Sequence, residues 1–401
     1  MTAVLPGATI GLLGGGQLGR MAAMAARALG YRVHALDPDP SCACRPVVER
    51  CVTASFEDAA AAGVMAEGCG VVTIEIEKVS IASMESAARH APVRPSAAVL
   101  EVVQDRIRQK GWLGAHGFPV GPWRTATSAE ELSAAIAAVA AVAAVDAVDA
   151  VDAVAVVAPV GGSVFAKSAR GGYDGRGQAQ LGPGSDAGRA WAELGGSPLA
   201  VERALALEAE LSVMVARRPS GESAVFPVSL NHHEERILDW NVIPAPLPPP
   251  LLRRAEEIGR GIAEALGVEG LLCVELFLLP GGEIVVNELA PRPHNTFHAT
   301  EVGCATSQFE QLVRAVCDLP LGSTEVVRPA AVVNLLGDLW LGRRPPDFAA
   351  ALSLPGVRLH LYGKGEARPG RKMGHLSAGA PTADEAVRLA KEARRLLGAA
   401  G

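Results

Sequence analysis

The stretch EGLLCVELFLLPGGEIVVNELAPRPHN, residues 269–295, sets two apolar runs either side of Pro280, Gly281 and Gly282 and ends in a polar, proline-broken tail. Two such runs around a glycine pair read as a β-hairpin. With Gly281-Gly282 as a two-residue loop, Glu275 falls directly opposite Glu288 and their side chains share one face. Cross-strand neighbours stand about 4.5–5.5 Å apart at Cβ, and two carboxylates about 5 Å apart repel by roughly 3 kcal/mol at an effective dielectric of about 20. Something positive is therefore expected between them. A phosphate-bound magnesium ion suits the position, being a hard cation that takes one or two carboxylates plus phosphate and water oxygens. On this register Asn287 points to the opposite face. The bland alternative, an exposed edge hairpin with two solvated glutamates, is disfavoured by the apolar neighbours Cys273 and Phe277.

A lysine should meet the same phosphates, and SVFAKSARGGYDGRGQ, residues 163–178, supplies Lys167 at the end of an apolar strand. Gly171, Gly172, Gly175 and Gly177 follow, leaving backbone N–H groups able to wrap an anion. The lysine precedes the glycines, so this is not a Walker P-loop. The chain holds six lysines against thirty-one arginines, and three of the six, Lys167, Lys364 and Lys372, lie in or beside glycine-containing loops. The cluster GKGEARPGRK, with Lys364, Arg368, Arg371 and Lys372, is basic enough to hold a phosphate or to be a solvated loop. Glu202 and Glu210 bound strand-like segments where an acid could accept hydrogen bonds from ribose or adenine, although either alone reads equally as a surface glutamate. His232, His233, His294 and His298 lack a third ligand at recognisable spacing, which argues against zinc.

Near the N-terminus, IGLLGGGQLGRM, residues 10–21, places Gly14, Gly16 and Gly19 at G-x-G-x-x-G spacing with Asp37 downstream. That pattern fits a dinucleotide-binding turn, and equally any βα turn whose backbone passes close to a ligand or a helix. Short apolar runs alternate with alanine-rich helical stretches up to about residue 100, as βαβ units on a parallel sheet do. A helix is expected through Gln104 to Lys110, and a final helix in TADEAVRLAKEARRLLG. Three domains follow: 1–104, Rossmann-like; 105–320, with a lid at about 115–200; and 321–401, a small α+β cap.

The bulk numbers agree with a metabolite-handling protein. The 401 residues are 49% apolar and 20% charged, with a net charge of -6 that argues against a large nucleic-acid-binding face. Seven cysteines without zinc-finger spacing read as reduced thiols of a cytoplasmic protein, and no signal peptide is apparent. The apolar segment around residues 140–158 carries Asp146, Asp149 and Asp152, each costing roughly 2.5–3.5 kcal/mol at a bilayer centre, so it reads as a repeat expansion and not a membrane span.

The order of these features resembles the ATP-grasp superfamily and, within it, the N5-carboxyaminoimidazole ribonucleotide synthases. The resemblance runs through GGGQLGRM, VTIEIEKV, QDRIRQK, GGYDGRGQ, VNELAPRPHN, TSQFEQ, NLLG and YGKGEARPGRKMGH. It implies an ATP-grasp fold of mixed α/β and α+β class, with a pre-ATP-grasp domain before it and a small C-terminal domain. By that resemblance ATP would lie against Arg106, Lys167, the loop Gly172, Tyr173, Asp174, Gly175, Arg176, Gly177 and Gln178, then Glu202, Arg203, Ala204 and Leu205, with Glu210, His233, Asn287 and Glu288. Glu275 and Glu288 would hold Mg2+. The acceptor, 5-aminoimidazole ribonucleotide, would lie near Gln17, Glu75, Tyr173, Asp174, Arg292, His294 and Asn295, with its phosphate on Lys364, Arg371 and Lys372. Lys167, Asp174, Arg292, His294 and Asn295 would carry the chemistry, with Arg292 holding bicarbonate. The implied assembly is a homodimer, with no nucleic-acid or membrane partner. Lys78, Glu235-Arg236 and Phe297 depart from the family pattern. Other readings are a related ligase such as a glycinamide ribonucleotide transformylase, a biotin-dependent carboxylase, a non-catalytic nucleotide-binding protein and, more distantly, a nicotinamide dehydrogenase.

Overall fold

The computed structural model describes residues 2–141, 162–171, 177–234, 236–342 and 345–398. The Ala/Val/Asp repeat, Glu235 and the loop residues Gly172, Tyr173, Asp174, Gly175 and Arg176 lie outside them. The chain divides into two compact units, one of residues 1–101, 211–274 and 290–401, the other of residues 102–210 and 275–289. Among the described residues no helix is long and apolar enough to cross a membrane.

The first unit begins with a parallel sheet in the order Arg50–Thr53, Arg32–Asp37, Thr9–Leu13, Val71–Ile74. Every residue of Thr9–Leu13 and Val71–Ile74 is buried, as central parallel strands covered on both faces require. The same unit contains antiparallel strands in the order Ser229–Glu234, Ile237–Ile243, Ala330–Leu336, Lys372–Gly379, Val357–Leu361, part of one nine-stranded sheet. The C-terminal residues therefore extend this sheet. Helix Ala383–Gly398 covers it through Ala386, Ala390, Ala393 and Leu397, whose spacing makes one helical stripe against Ala331, Val333, Leu335 and Leu376. Phe297, one of the departures from the family pattern, is fully buried, its ring centroid 6.1 Å from that of Phe226, so it fills core.

The second unit is built on a four-stranded antiparallel sheet, Trp123–Ala126, Leu199–Arg203, Val164–Ser168, Gln178–Leu181. Helix Ala129–Ala141 packs on it through Leu132, Ala135, Ile136 and Val139. The helix expected through Gln104–Lys110 starts at Arg106 and runs to Ala115, and a separate helix, Ala97–Val103, precedes it. Asp105 separates them: its backbone is extended and its carboxylate accepts from Ile107 N and Arg108 N, which makes it the N-cap of the second helix. Strands Gly270–Leu278 and Ile284–Ala290 form the expected hairpin, with a loop one residue longer than expected. Leu279 N donates to Glu283 O, leaving Pro280, Gly281 and Gly282 in the turn, both glycines at positive φ (93° and 88°). Proline has no N–H to give to the ladder, so the two-residue loop that would pair Pro280 with Glu283 loses a hydrogen bond and Leu279 takes its place.

Candidate active site

In the second unit the pairing Phe165↔Glu202 and Lys167↔Ala200 puts Lys167 diagonal to Glu202 on one face of the sheet. Lys167 Nζ lies 3.1 Å from Glu202 Oε2. The same oxygen takes Lys110 Nζ, also at 3.1 Å. Lys110 stands one helical turn after Arg106, so both side chains leave the same face of helix Arg106–Ala115. Lys110 and Glu202 are buried, at 4% and 8% exposure. Burial pulls the Lys110 pKa down from its usual value against the opposing pull of Glu202. Burial would raise that of Glu202, but the two lysines outweigh it and hold the carboxyl below its usual range. Among the described residues Glu202 Oε1 is buried with no hydrogen-bond partner, an acceptor left over for a ligand donor.

The turn is one residue longer than expected, and Asn287 lies beside Glu275, while Glu275 and Glu288 both act on Arg106. Asn287 Nδ2 donates to Glu275 Oε2 at 3.3 Å, so its side chain is not on the far face, as the two-residue turn had required. Asn287 Oδ1 is buried without a partner among the described residues. The positive group expected near the glutamates is Arg106, whose Nη1 donates to Glu288 Oε2 at 2.8 Å. Burial opposes its charge, and Glu288, then Glu202 and Glu275, overcome that and raise its pKa. Two carboxylates and an orphaned amide oxygen are hard oxygen donors, and they fit a divalent cation such as Mg2+. Glu210 is half-buried on strand Ala209–Arg217. Arg203 N and Ala204 N are spent on Pro122 O and Ser163 O, and Leu205 follows half-buried, outside the strand.

In the first unit the glycine turn is already filled. Glu75 Oε1 accepts from Gly16 N at 2.8 Å and Oε2 from Gly19 N at 2.9 Å, while Asp37 Oδ2 accepts from Gly15 N at 2.7 Å. A Cβ on Gly16 would stand 2.7 Å from Glu75 Oε1, which is why glycine is needed there. Amides that would grip a dinucleotide pyrophosphate hold the protein's own carboxylates. Burial pushes the Glu75 pKa up to about 7 against those amides and Arg292.

Around the turn, Gln17 Nε2 donates to Asn295 Oδ1 at 2.8 Å and Gln17 Oε1 accepts from Lys364 Nζ at 2.7 Å. Lys364 Nζ also reaches Lys372 O at 2.7 Å, and Arg371 Nη1 reaches Glu366 O at 2.7 Å. Arg368 differs from its cluster neighbours: it pairs with Glu366 at the exposed surface. Arg292 Nε is 2.7 Å from Glu77 Oε1. Burial first, then Arg292 and Lys372, hold His294 well below the usual imidazole pKa, so it is neutral at pH 7. His233 is half-buried on strand Ser229–Glu234. Three residues escaped the sequence reading: Lys110, Glu77 and Gln308, whose side chain grips both His294 N (2.9 Å) and His294 O (3.0 Å). Each lies within a motif, QDRIRQK, VTIEIEKV or TSQFEQ, but no spacing rule singles it out.

His298, Glu301 and His375 also come together, with ligand atoms within 4.8 Å of one another. His298 stacks on His375 (4.3 Å, 5°), and His375 on His360 (4.6 Å, 10°). Lone pairs of parallel rings run side by side and do not converge, so this is a column of neutral imidazoles beside a carboxyl. Burial pushes Glu301 up to about 7, opposed by Arg358. Its folded pKa exceeds the unfolded value, so the stability it adds is complete below about pH 4.5 and is lost as pH rises toward 7. Glu301→Gln escapes that loss and should gain about 2 kcal/mol over the parent between pH 4.5 and 7.5 in urea unfolding. Parallel pH profiles for the two proteins would contradict this.

Three family models match the chain. Residues 7–104 match the ribonucleotide synthetase preATP-grasp domain, residues 130–309 the ATP-grasp domain, and residues 330–388 the phosphoribosylaminoimidazole carboxylase C-terminal domain. Fold and site thus define an enzyme of the ATP-grasp class. The N5-carboxyaminoimidazole ribonucleotide synthase of Brucella melitensis is 37% identical over 94% of this chain and 97% of its own, and that of Bacillus subtilis 35% over 93% and 92%. The chain belongs to the N5-carboxyaminoimidazole ribonucleotide synthase family. A synthetase of this name solved with ADP superposes with a TM-score of 0.86 at 37% identity, covering 98% of both chains. The Aspergillus clavatus enzyme, solved with ADP and 5-aminoimidazole ribonucleotide, gives 0.83 at 31%, covering 97% of this chain and 98% of that one.

Proposed function

We infer that the protein carboxylates 5-aminoimidazole ribonucleotide at its exocyclic amine, using ATP and bicarbonate and releasing ADP and phosphate. Beyond family membership, the observation that carries this reading is the cluster of Arg106, Lys110 and Lys167 with Glu202, Glu275 and Glu288 in one unit. It is a charge pattern suited to a nucleotide triphosphate and a divalent cation.

Bicarbonate oxygen attacks the γ-phosphorus, ADP leaves, and carboxyphosphate forms. Carboxyphosphate yields carbon dioxide and phosphate, and the amine then attacks the carbon and loses a proton. Lys167 and Arg106 hold the phosphate oxygens and offset the charge of the transferred group. Glu275 and Glu288, with Asn287 Oδ1, would hold Mg2+, which would neutralise charge on the phosphoryl oxygens. Glu202 Oε1 accepts from a donor on the nucleotide. Arg292, kept charged and oriented by Glu77, grips bicarbonate through parallel N–H groups. His294, neutral and clamped by Gln308, offers the acceptor a polar contact without adding charge. Lys364, Arg371 and Lys372 take the ribonucleotide phosphate, with Lys364 leaving Gln17 to do so.

The test is ADP formation with bicarbonate, with and without 5-aminoimidazole ribonucleotide, and isotope-labelled bicarbonate traced into product. Release of ADP that depends on both substrates is expected. Nucleotide binding with ADP release indifferent to both would instead identify a nucleotide-binding protein without this activity.

A further inference from the structure

Resting on the reading of the hairpin as the divalent-cation site, a second role for Arg106 emerges from the charge arrangement. Among the described residues Arg106, Lys110 and Lys167 face Glu202, Glu275 and Glu288, three charges of each sign before any ligand arrives. Within it Arg106 Nη1 sits on Glu288 Oε2 at 2.8 Å, Glu275 next strand over is among the charges that stabilise the guanidinium, and Asn287 joins Glu275. A divalent cation entering alone would meet a guanidinium already holding one of its carboxylates. A nucleotide triphosphate entering alone would find one of its cations tied to that carboxylate.

We propose that Arg106 is the stand-in counter-ion of the hairpin carboxylates, and that it moves from Glu288 to a nucleotide phosphate when metal and nucleotide bind together. No covalent bond changes; one ion pair is exchanged for two. The exchange couples the two ligands, because each supplies the partner that the other displaces. It also keeps the carboxylates from sitting unpaired when no ligand is bound, an arrangement that mutual repulsion would penalise.

The test uses the full chain with Mn2+ as probe, its free fraction read by electron paramagnetic resonance, with and without a non-hydrolysable ATP analogue. Arg106→Gln should bind Mn2+ alone roughly tenfold more tightly than the parent, because the competitor is gone. The enhancement of Mn2+ affinity by the analogue should shrink by about as much, since the coupling is reciprocal. Arg106→Lys, which keeps a charge, should lie between the two, and circular dichroism with thermal melting establishes that each variant is folded. Folded Arg106→Gln that binds Mn2+ alone no better than the parent overturns the exchange while leaving the metal site standing, provided Mn2+ still binds with the analogue. If parent and variants all fail to bind Mn2+ with the analogue present, both the exchange and the underlying assignment fall.

Discussion

Glu288→Gln is expected to lower ADP formation by two to three orders of magnitude, about 3–4 kcal/mol in barrier, with the fold intact. Glutamine keeps the size and one oxygen of Glu288 but removes the negative charge that balances Arg106 and would attract a divalent cation. Glu288 sits at the edge of the site, its side chain 39% exposed, so the substitution empties no core volume. The loss should appear in kcat and in the apparent Mg2+ requirement, and raising Mg2+ should recover part of it. The measurement is steady-state ADP release at several Mg2+ concentrations. Full activity at ordinary Mg2+ would remove Glu288 from the machinery.

Arg292→Ala is expected to cost about a hundredfold in carboxylated product, roughly 3 kcal/mol, while the KM for ATP stays within about twofold. Arg292 lies in the first unit with Glu75, Glu77, His294 and Asn295, whereas the residues read as gripping ATP phosphates lie in the second. The split between product formation and ATP affinity therefore separates a bicarbonate-holding group from a nucleotide-holding one. Removing the guanidinium also leaves Glu77 without its ion-pair partner, so Glu77→Gln serves as a control for electrostatic disturbance. Product formed at the parental rate by Arg292→Ala would end the assignment.

Much of this was legible because it rests on short-range rules. Alternation of apolar runs with glycine and proline located the hairpin, Lys167 followed from a strand running into a glycine loop, and the final helix was visible in TADEAVRLAKEARRLLG. What failed was the turn: with no N–H on Pro280 it is one residue longer, and Asn287, expected on the far face, meets Glu275. Asp105, expected inside a helix, is its N-cap. Lys110, Glu77 and Gln308 stayed hidden because their partners Glu202, Arg292 and His294 are distant in sequence or on another element, and only tertiary packing brings them together.

The carboxylate of Glu75 seated on the amides of Gly16 and Gly19 has a wider consequence. A receptor for anions that carries its own anion becomes a brace, and the glycine fingerprint survives with its usual meaning reversed. The residue that tells the two uses apart stands 59 positions beyond Gly16, just after the neighbouring strand Val71–Ile74, where no local pattern search would look. Anyone wishing to graft a dinucleotide onto this scaffold would have to begin by evicting that side chain.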